Sequence, residues 1–502
     1  MAHGRPLAAV LTTLACVATA LAATNVVAAG ASTPGAPAAA AAVAASCARI
    51  PGDVNGDGYG DVAVGVPGWQ RGSVELLLGG SDPEWSPFIG LSPSRSGTPA
   101  GPDTLYGTSV VSDYFDSDCY ADLAVGWGNT VELVWGHPNG LSAAGSEVIA
   151  ATSAGTTVAT PVLATGDFNG DGHPDLAIGD INYDHGAGRV EILYGTADGL
   201  TTTGERVISQ DTAGVPGASE PGDHFGAALA TGDFNGDGRR DLAIGSPGED
   251  IGAAVDTGDV IVLDGSTSGL TGTGATSWHE ATPGVPGAEA SHDAFGTSLA
   301  AADGALAIGA PGATVAGKHG AGTVTVLAGL SATGATLWSQ NSSGVPGTAE
   351  TGDAFGTYVT YGDFNGDGHS DLVASAPKED LGAAADAGSV SVIYGSQNGL
   401  TGTGAQTWSQ DSTGVAGTAE SGDNFGIPFA IGLHGGFYDD LMIGVPNEDQ
   451  AISAGDPQEI DAGAMNEFIG GASGLSAGGA PLWSGVLVDA FGAHAHFAAG
   501  LA

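Results

Sequence analysis

At Asp233, Asn235, Asp237 and Asp241 the chain sets side-chain oxygens at positions 1, 3, 5 and 9 of one loop. At position 7, Arg239 offers only its backbone carbonyl, and Gly238 at position 6 permits the sharp reversal such a spacing needs. Hard oxygen donors in that number suit Ca²⁺, whereas Zn²⁺ would want His or Cys. The pattern is the front of an EF-hand-type loop without its helices and without the position-12 Glu. The crowded carboxylates repel one another, and a bound divalent cation cancels that repulsion.

The same spacing recurs three times. The first copy has Asp53, Asn55, Asp57, the Tyr59 carbonyl and Asp61; the third has Asp167, Asn169, Asp171, the His173 carbonyl and Asp175. The sixth has Asp363, Asn365, Asp367, the His369 carbonyl and Asp371. The second, "DYFDSDCYAD", keeps Asp116, Asp118 and Asp122 but reads as carrying an extra residue after Asp113. The fifth, "AADGALAIG", and the seventh, "IGLHGGFYDDLMIG", lack the ligands. Asx-Gly turns are common between strands; four copies of one ligand spacing favour calcium over that plainer reading.

Each loop stands just before a short apolar run of the "DLAIG" type, whose last residues are Gly65, Gly126, Gly179, Gly245, Gly309, Ser375 and Gly444. Those seven markers lie about 53 to 69 residues apart, and periods above ~40–50 residues with several strands per unit indicate a propeller. In the fourth unit "FGAALATGDF" predicts a first strand, "DLAIG" a second, "GDVIVLDG" a third and "GATSWHEA" a fourth. First strands begin at Tyr106-Gly107, near Thr160, and at Phe225, Phe295, Phe355, Phe425 and Phe491. The last has no Asp-rich turn after it, and the first such turn, at Asp53, has no "FG" strand before it. The expectation is therefore an all-β, seven-bladed β-propeller of four-stranded antiparallel blades, closed by pairing of the N- and C-terminal segments.

"FG", the Asp-rich turn and endings such as Gly309-Ala310-Pro311, Ser375-Ala376-Pro377 and Gly444-Val445-Pro446 together resemble the FG-GAP repeat. That repeat builds the seven-bladed propeller of integrin alpha chains. The resemblance covers nearly all of the chain from about Cys47 onward. It implies calcium loops between the first two strands of certain blades and ligand recognition on the opposite face. Similar repeats also accompany a secreted phospholipase D, so the fold does not exclude an enzyme.

The 502 residues carry 10 Lys+Arg against 56 Asp+Glu, a formal charge of −46. That field disfavours nucleic acid and anionic lipid and favours cations or a basic partner. Arg5, the apolar run "LAAVLTTLACVATALAA" and the small residues after it predict a cleaved signal peptide over 1–29. A low-complexity leader (30–46) and the propeller (47–502) follow. No later run is apolar enough over the ~20 residues a membrane span needs, so a secreted, extracellular monomer is expected. Cys47 and Cys119 would then be free to pair.

Other candidate chemistry weighs less. "GLSAG" places Ser476 in a nucleophile-elbow pattern, but it aligns with the repeat's "GLTGTG" turns and opens no helix. His494 and His496 share one strand face without zinc spacing, and Trp278, Trp338, Trp408 and Trp483 recur at one blade position, as interblade packing requires. Glu249, Asp250, Glu379, Asp380, Glu448 and Asp449 occupy matching loops and predict an acidic face. No catalytic residues or organic cofactor are assigned. The leading expectation is a non-enzymatic, calcium-binding adhesion or ligand-binding module for a protein or glycan at the cell surface. The rival is a secreted hydrolase or polysaccharide lyase on the same propeller.

Overall fold

The computed structural model describes residues 49–66, 72–80, 89–91, 106–116, 118–128, 130–150, 161–435, 437–448, 463–477 and 482–484. Seven antiparallel sheets stand in a ring, with a single helical turn, α1 (Tyr183–Gly186), among the described residues. The first blade contains β1 (Val62–Val66), β2 (Ser73–Leu77) and β3 (Ile89–Leu91). The second contains β4 (Ser109–Asp113), β5 (Asp122–Trp127), β6 (Thr130–Trp135) and β7 (Ser142–Ala150). The third contains β8 (Val162–Gly166), β9 (Asp175–Asp180), β10 (Arg189–Thr196) and β11 (Gly199–Ile208). In the fourth are β12 (Ala228–Gly232), β13 (Asp241–Ser246), β14 (Asp259–Leu263) and β15 (Thr276–Trp278). The fifth holds β16 (Ser298–Ala302), β17 (Ala305–Ala310), β18 (Thr323–Ala328) and β19 (Ser331–Trp338). The sixth holds β20 (Val359–Gly362), β21 (Asp371–Ala376), β22 (Ser389–Tyr394) and β23 (Thr401–Trp408). The seventh holds β24 (Ile427–Ile431), β25 (Asp440–Val445), β26 (Ala464–Phe468) and β27 (Leu482–Ser484).

The "DLAIG" runs are the second strands, as the spacing predicts. Each of β5, β9, β13, β21 and β25 is buried along its whole length. A strand covered on both faces needs a continuous apolar run rather than alternation. The outermost strands differ: β11 and β19 show mixed burial with exposed residues, and they carry Thr and Gly. Hydrophobic clusters form between blades rather than within them. Phe225, Ile244 and Ile261 of blade 4 pack with Val190 and Ile192 of blade 3, for example.

The ring closes. Ile427, Phe429, Met442 and Met465 of blade 7 share one buried cluster with Val62, Val64 and Leu76 of blade 1. Across the same seam Gly60 N–H donates to the Gly432 carbonyl at 3.3 Å and Gly80 N–H to that of Leu433 at 3.2 Å. The expected pairing of the C-terminal strand from Phe491 with blade 1 lies outside the described residues, as do the signal peptide, the leader, Cys47, Asp449, His494 and His496. Trp483 is described only as a backbone partner of Met465 in β27.

One sequence expectation changes. The "FG" pairs are not in the first strands but hook the loop that precedes them. Phe225 N–H donates to the Ala187 carbonyl of blade 3 at 3.0 Å, and Gly226 N–H to Gly245 of its own blade at 3.0 Å. The same two bonds recur at Phe295-Gly296, Phe355-Gly356 and Phe425-Gly426. Every one of these Phe rings is fully buried. The glycines are sterically required: a Cβ on Gly245 would stand 2.1 Å from the Gly296 carbonyl of blade 5, and one on Gly309 2.0 Å from that of Gly356. Gly245→Ala should therefore destabilise the protein by about 3 kcal/mol, the upper range for forcing volume into a packed core. A urea midpoint within about 0.5 kcal/mol of wild type would show that the seam is not close-packed.

Candidate functional site: the Asp-rich loops

Antiparallel order sends the first-to-second and third-to-fourth connections to one end of the ring and the remaining connections to the other. The Asp-rich loops therefore share one end. In blade 4 the loop curls around its first residue. Asp233 Oδ1 accepts N–H bonds from Gly236 at 2.8 Å and Asp237 at 3.0 Å, and Oδ2 accepts from Gly238 at 3.0 Å. Asn235 Oδ1 accepts from Asp237 N–H at 2.9 Å, and Asp237 Oδ1 from Arg239 N–H at 2.9 Å. Asp53, Asn55 and Asp57 make the corresponding turns at 2.6–3.1 Å. So do Asp167, Asn169 and Asp171, and Asp363, Asn365 and Asp367. The side-chain oxygens at positions 1, 3 and 5 are thus turned toward the inside of each loop.

Position 9 is different in kind. Asp241 is fully buried and bridges two segments: Oδ2 accepts from Phe234 N–H at 2.9 Å and Oδ1 from Gly265 N–H, past the third strand, at 2.8 Å. Asp61, Asp175 and Asp371 form the same bridge. Burial pushes these carboxyls up, to about 8 for Asp61, about 7 for Asp175 and Asp371, and about 6 for Asp241. The two backbone N–H bonds oppose the shift, and the neighbouring loop carboxylates add to it for Asp61, Asp175 and Asp371.

Blade 2 corrects the sequence reading. Asp113 pairs with Asp122 as Gly232 pairs with Asp241, so this loop has no extra residue. Tyr114 instead occupies position 1, and Asp113 takes the place of a glycine, where its Oδ2 accepts from Thr165 Oγ1 at 2.6 Å. Asp116, Asp118 and Asp122 hold positions 3, 5 and 9, and their ligand atoms all lie within 4.8 Å of one another. Among the described residues no other three His, Cys, Asp or Glu side chains converge so closely. Cys119, at the position of Gly238, is disulfide-bonded.

Blade 7 keeps a residue that the sequence pattern discarded. Asp440 makes the position-9 bridge to Gly470 N–H at 3.0 Å. His434, at position 3, sets Nδ1 2.9 Å from Asp440 Oδ2, and this bond holds its imidazole toward the protonated form against the effect of burial. Blade 5 replaces the loop with a two-residue hairpin at Asp303-Gly304, both in the left-handed region.

The loops also grip one another. Position 8 of one donates its N–H to the position-1 carbonyl of the preceding blade: Ala121 to Asp53 at 2.8 Å, Arg240 to Asp167 at 3.1 Å and Asp439 to Asp363 at 2.9 Å. The next residue's neighbour at position 7 covers the preceding loop's position-4 glycine. A Cβ on Gly56 would meet the Tyr120 ring at 2.6 Å, and one on Gly366 the Tyr438 ring at 2.6 Å. Gly236 faces the short hairpin of blade 5 and would meet nothing within 4 Å.

At the other end of the ring the expected acidic face is only partly acidic. Glu249 and Glu448 are buried, and Gln210 Nε2 donates to Glu249 Oε2 at 2.5 Å; Gln410 does the same to Glu448. Asp250 and Asp380 are exposed. Ser476 is exposed on a hairpin, where its Oγ donates to the Ile469 carbonyl at 3.3 Å. Trp338 is buried in an interblade cluster, and the Trp408 ring packs tilted, at 52° and 5.0 Å between centroids, on Phe468 of the next blade, as the recurrence predicts.

Comparison with known proteins finds matches over four segments of the chain. Residues 51–75, 225–263 and 355–393 match the FG-GAP repeat, and 114–178 an FG-GAP-like repeat. The phosphatidylinositol-glycan-specific phospholipase D of Rattus norvegicus is 35% identical over 131 residues, 24% of this chain and 15% of that protein. Its Bos taurus counterpart is 32% identical over 111 residues, 21% of this chain and 13% of that protein. The match thus spans a small part of either relative. Among solved structures, the Bacillus licheniformis rhamnogalacturonan lyase aligns with a TM-score of 0.24 and 13% identity, over 84% of this chain and 72% of that one. So loose a likeness carries no argument.

Two outcomes follow from the loop geometry. Gly236→Ala should lose about 1 kcal/mol, the cost of a left-handed non-glycine residue, whereas Gly56→Ala should lose about 2–4 kcal/mol because a ring must also move. Equal urea midpoints would contradict the interlocking. Raised carboxyl pKa values mean that protonation stabilises the fold: that contribution is complete below the unfolded pKa of ~4 and is lost as pH rises through about 6 to 8. In EGTA the protein should therefore melt higher at pH 5 than at pH 8 by calorimetry, and the reverse order would count against buried, cation-free aspartates.

Proposed function

We propose that this seven-bladed propeller, in which four segments match FG-GAP or FG-GAP-like repeats, is a calcium-stabilised binding module that works outside the cell. The observation that carries this reading is the fourfold recurrence of one donor set on one loop geometry. Asp233, Asn235, Asp237, the Arg239 carbonyl and Asp241 would hold one ion. The sets led by Asp53, Asp167 and Asp363 would hold three more. The donors fit in kind, since all are oxygen, three are carboxylates and the position-9 carboxylate is buried; those three stand farther apart than Asp116, Asp118 and Asp122 do, and a bound ion would draw them together. Bound Ca²⁺ supplies positive charge to that buried group. The chain's own residues do the rest: the loops led by Asp53, Asp167 and Asp363 each fix the position-1 carbonyl that receives the next blade's N–H.

Export is supported by the signal-like N-terminus and by a disulfide at Cys119, since such bonds persist in oxidising compartments. The ligand-binding end would be the one opposite the loops. There, blades 4 to 7 carry long connections with exposed Asp250 and Asp380, and a basic protein or a glycan is the class of ligand proposed. No helix of the described residues is long and apolar enough to cross a membrane.

The test is direct. EGTA should lower the melting temperature at pH 8, and millimolar Ca²⁺, the weak end of extracellular sites, should restore it. Asp237→Asn, which keeps the Oδ1 that accepts from Arg239 N–H, should reduce the Ca²⁺-dependent shift by more than it changes the EGTA melting point. An identical melting curve with and without Ca²⁺ would sink the calcium reading. Glycan arrays and a panel of basic proteins would test the binding role. Turnover in a screen of phosphodiesters and uronans, abolished by a single loop substitution, would replace it with an enzymatic one.

A further inference from the structure

The end of the ring away from the Asp-rich loops carries a second set of oxygen donors, built from residues outside those loops. Gln210 follows the last strand of blade 3, and its Nε2 donates to Glu249 of blade 4. The same side-chain bond joins Gln340 to Glu379 and Gln410 to Glu448 across later seams. The three glutamines are 2%, 3% and 3% exposed, and in each the amide Oε1 is buried with no hydrogen-bond partner. Between blades 4 and 5 the pair is rewritten with its charge retained. Glu280 stands in place of the Gln and Ala313 in place of the Glu, and Glu280 Oε2 is again without a partner.

An Asp completes each seam. Asp223, Asp293, Asp353 and Asp423 are each 2% exposed, and each accepts the backbone N–H three residues earlier at 2.5–2.6 Å. Backbone contacts bring Asp and Glu together. The Asp223 carbonyl accepts from Gly248 N–H at 3.1 Å, so Glu249 follows directly from a residue seated on Asp223. Gly217, in the left-handed region, leaves room for the amide, because a Cβ there would stand 2.9 Å from Gln210 Nε2. The seam between blades 3 and 4 carries a further buried acid. Asp259, 3% exposed, pairs in register with Ser246, whose fully buried Oγ also has no partner.

An unpartnered amide oxygen among buried carboxylates needs both a ligand and a positive charge. A water molecule would satisfy the oxygen but leave the carboxylates uncompensated; a hard cation does both. We infer that the seam between blades 3 and 4 is a buried site for a hard divalent cation, held by Gln210 Oε1, Glu249 and Asp223 and separate from the Asp-rich loops. The Gln340 and Gln410 seams repeat its donor set. Such an ion would clamp the long connection between blades 3 and 4 onto the blade it enters.

Crystals of the wild-type chain soaked in Mn²⁺ would decide this by anomalous diffraction. The expected result is a peak within about 2.6 Å of Gln210 Oε1 and of Glu249 and Asp223 oxygens. In solution, mass spectrometry after dialysis against Mn²⁺ should find one bound equivalent fewer in Glu249→Gln than in wild type. Asp233→Asn/Asp237→Asn should lose a different equivalent and keep the seam peak. Density at the loops with none at the seam overturns this inference and leaves the loop reading standing. Density at the seam alone does the opposite. Should Glu249→Gln fail to fold, the wild-type map still decides, and a Glu249→Gln protein with its full metal content refutes the site.

Discussion

The close approach of backbone to backbone at the blade seams is the constraint on which the rest of the molecule depends. Where Gly245 meets Gly296 and Gly309 meets Gly356, there is no room for a single added carbon. At that separation the Phe-Gly pair can donate one N–H to the preceding blade and the next to its own blade. The buried Phe ring then enters the apolar layer between the sheets. Six interblade clusters result, one of them joining the last blade to the first. A ring assembled this way has little freedom to open, because each blade's core is half made by its neighbour.

From that geometry the division between the two ends follows. Second and third strands, buried on both faces, fix where the hairpins emerge, so all the Asp-rich loops appear on one end and the long connections on the other. On the loop end, the position-9 aspartate is a structural tie before it is anything else, since it bonds two separate backbone segments. That explains why blade 7 keeps Asp440 after losing the remaining oxygen donors. His434 there brings to Asp440 a side chain capable of carrying the positive charge that a cation would supply elsewhere.

The acidic composition acquires a location as well. Part of the negative charge is withdrawn from solvent at the position-9 aspartates and at the seams, where buried carboxylates face backbone N–H groups or amides. Glu249 and Glu448 illustrate the difference: in the sequence they look like surface acids beside Asp250 and Asp449, yet they turn inward to a Gln from the preceding blade. Their partners lie about 39 residues away along the chain, a separation at which no local pattern registers.

The strand order, the number of blades, the second strand in each and the fourfold loop spacing were all set by the sequence alone. They depend on local periodicity, on glycine and on runs of apolar residues, all of which repeat within one blade. What required the tertiary structure were the relations between blades: that "FG" is a hook and not a strand, that Tyr114 and not an insertion breaks the second loop, that Asp440 survives as a tie, and that glutamines meet glutamates across seams. Each is a contact between residues of different blades or a register fixed by strand pairing. Such contacts are decided by packing in three dimensions: the repeat marks the residues along the chain but not which of them meet.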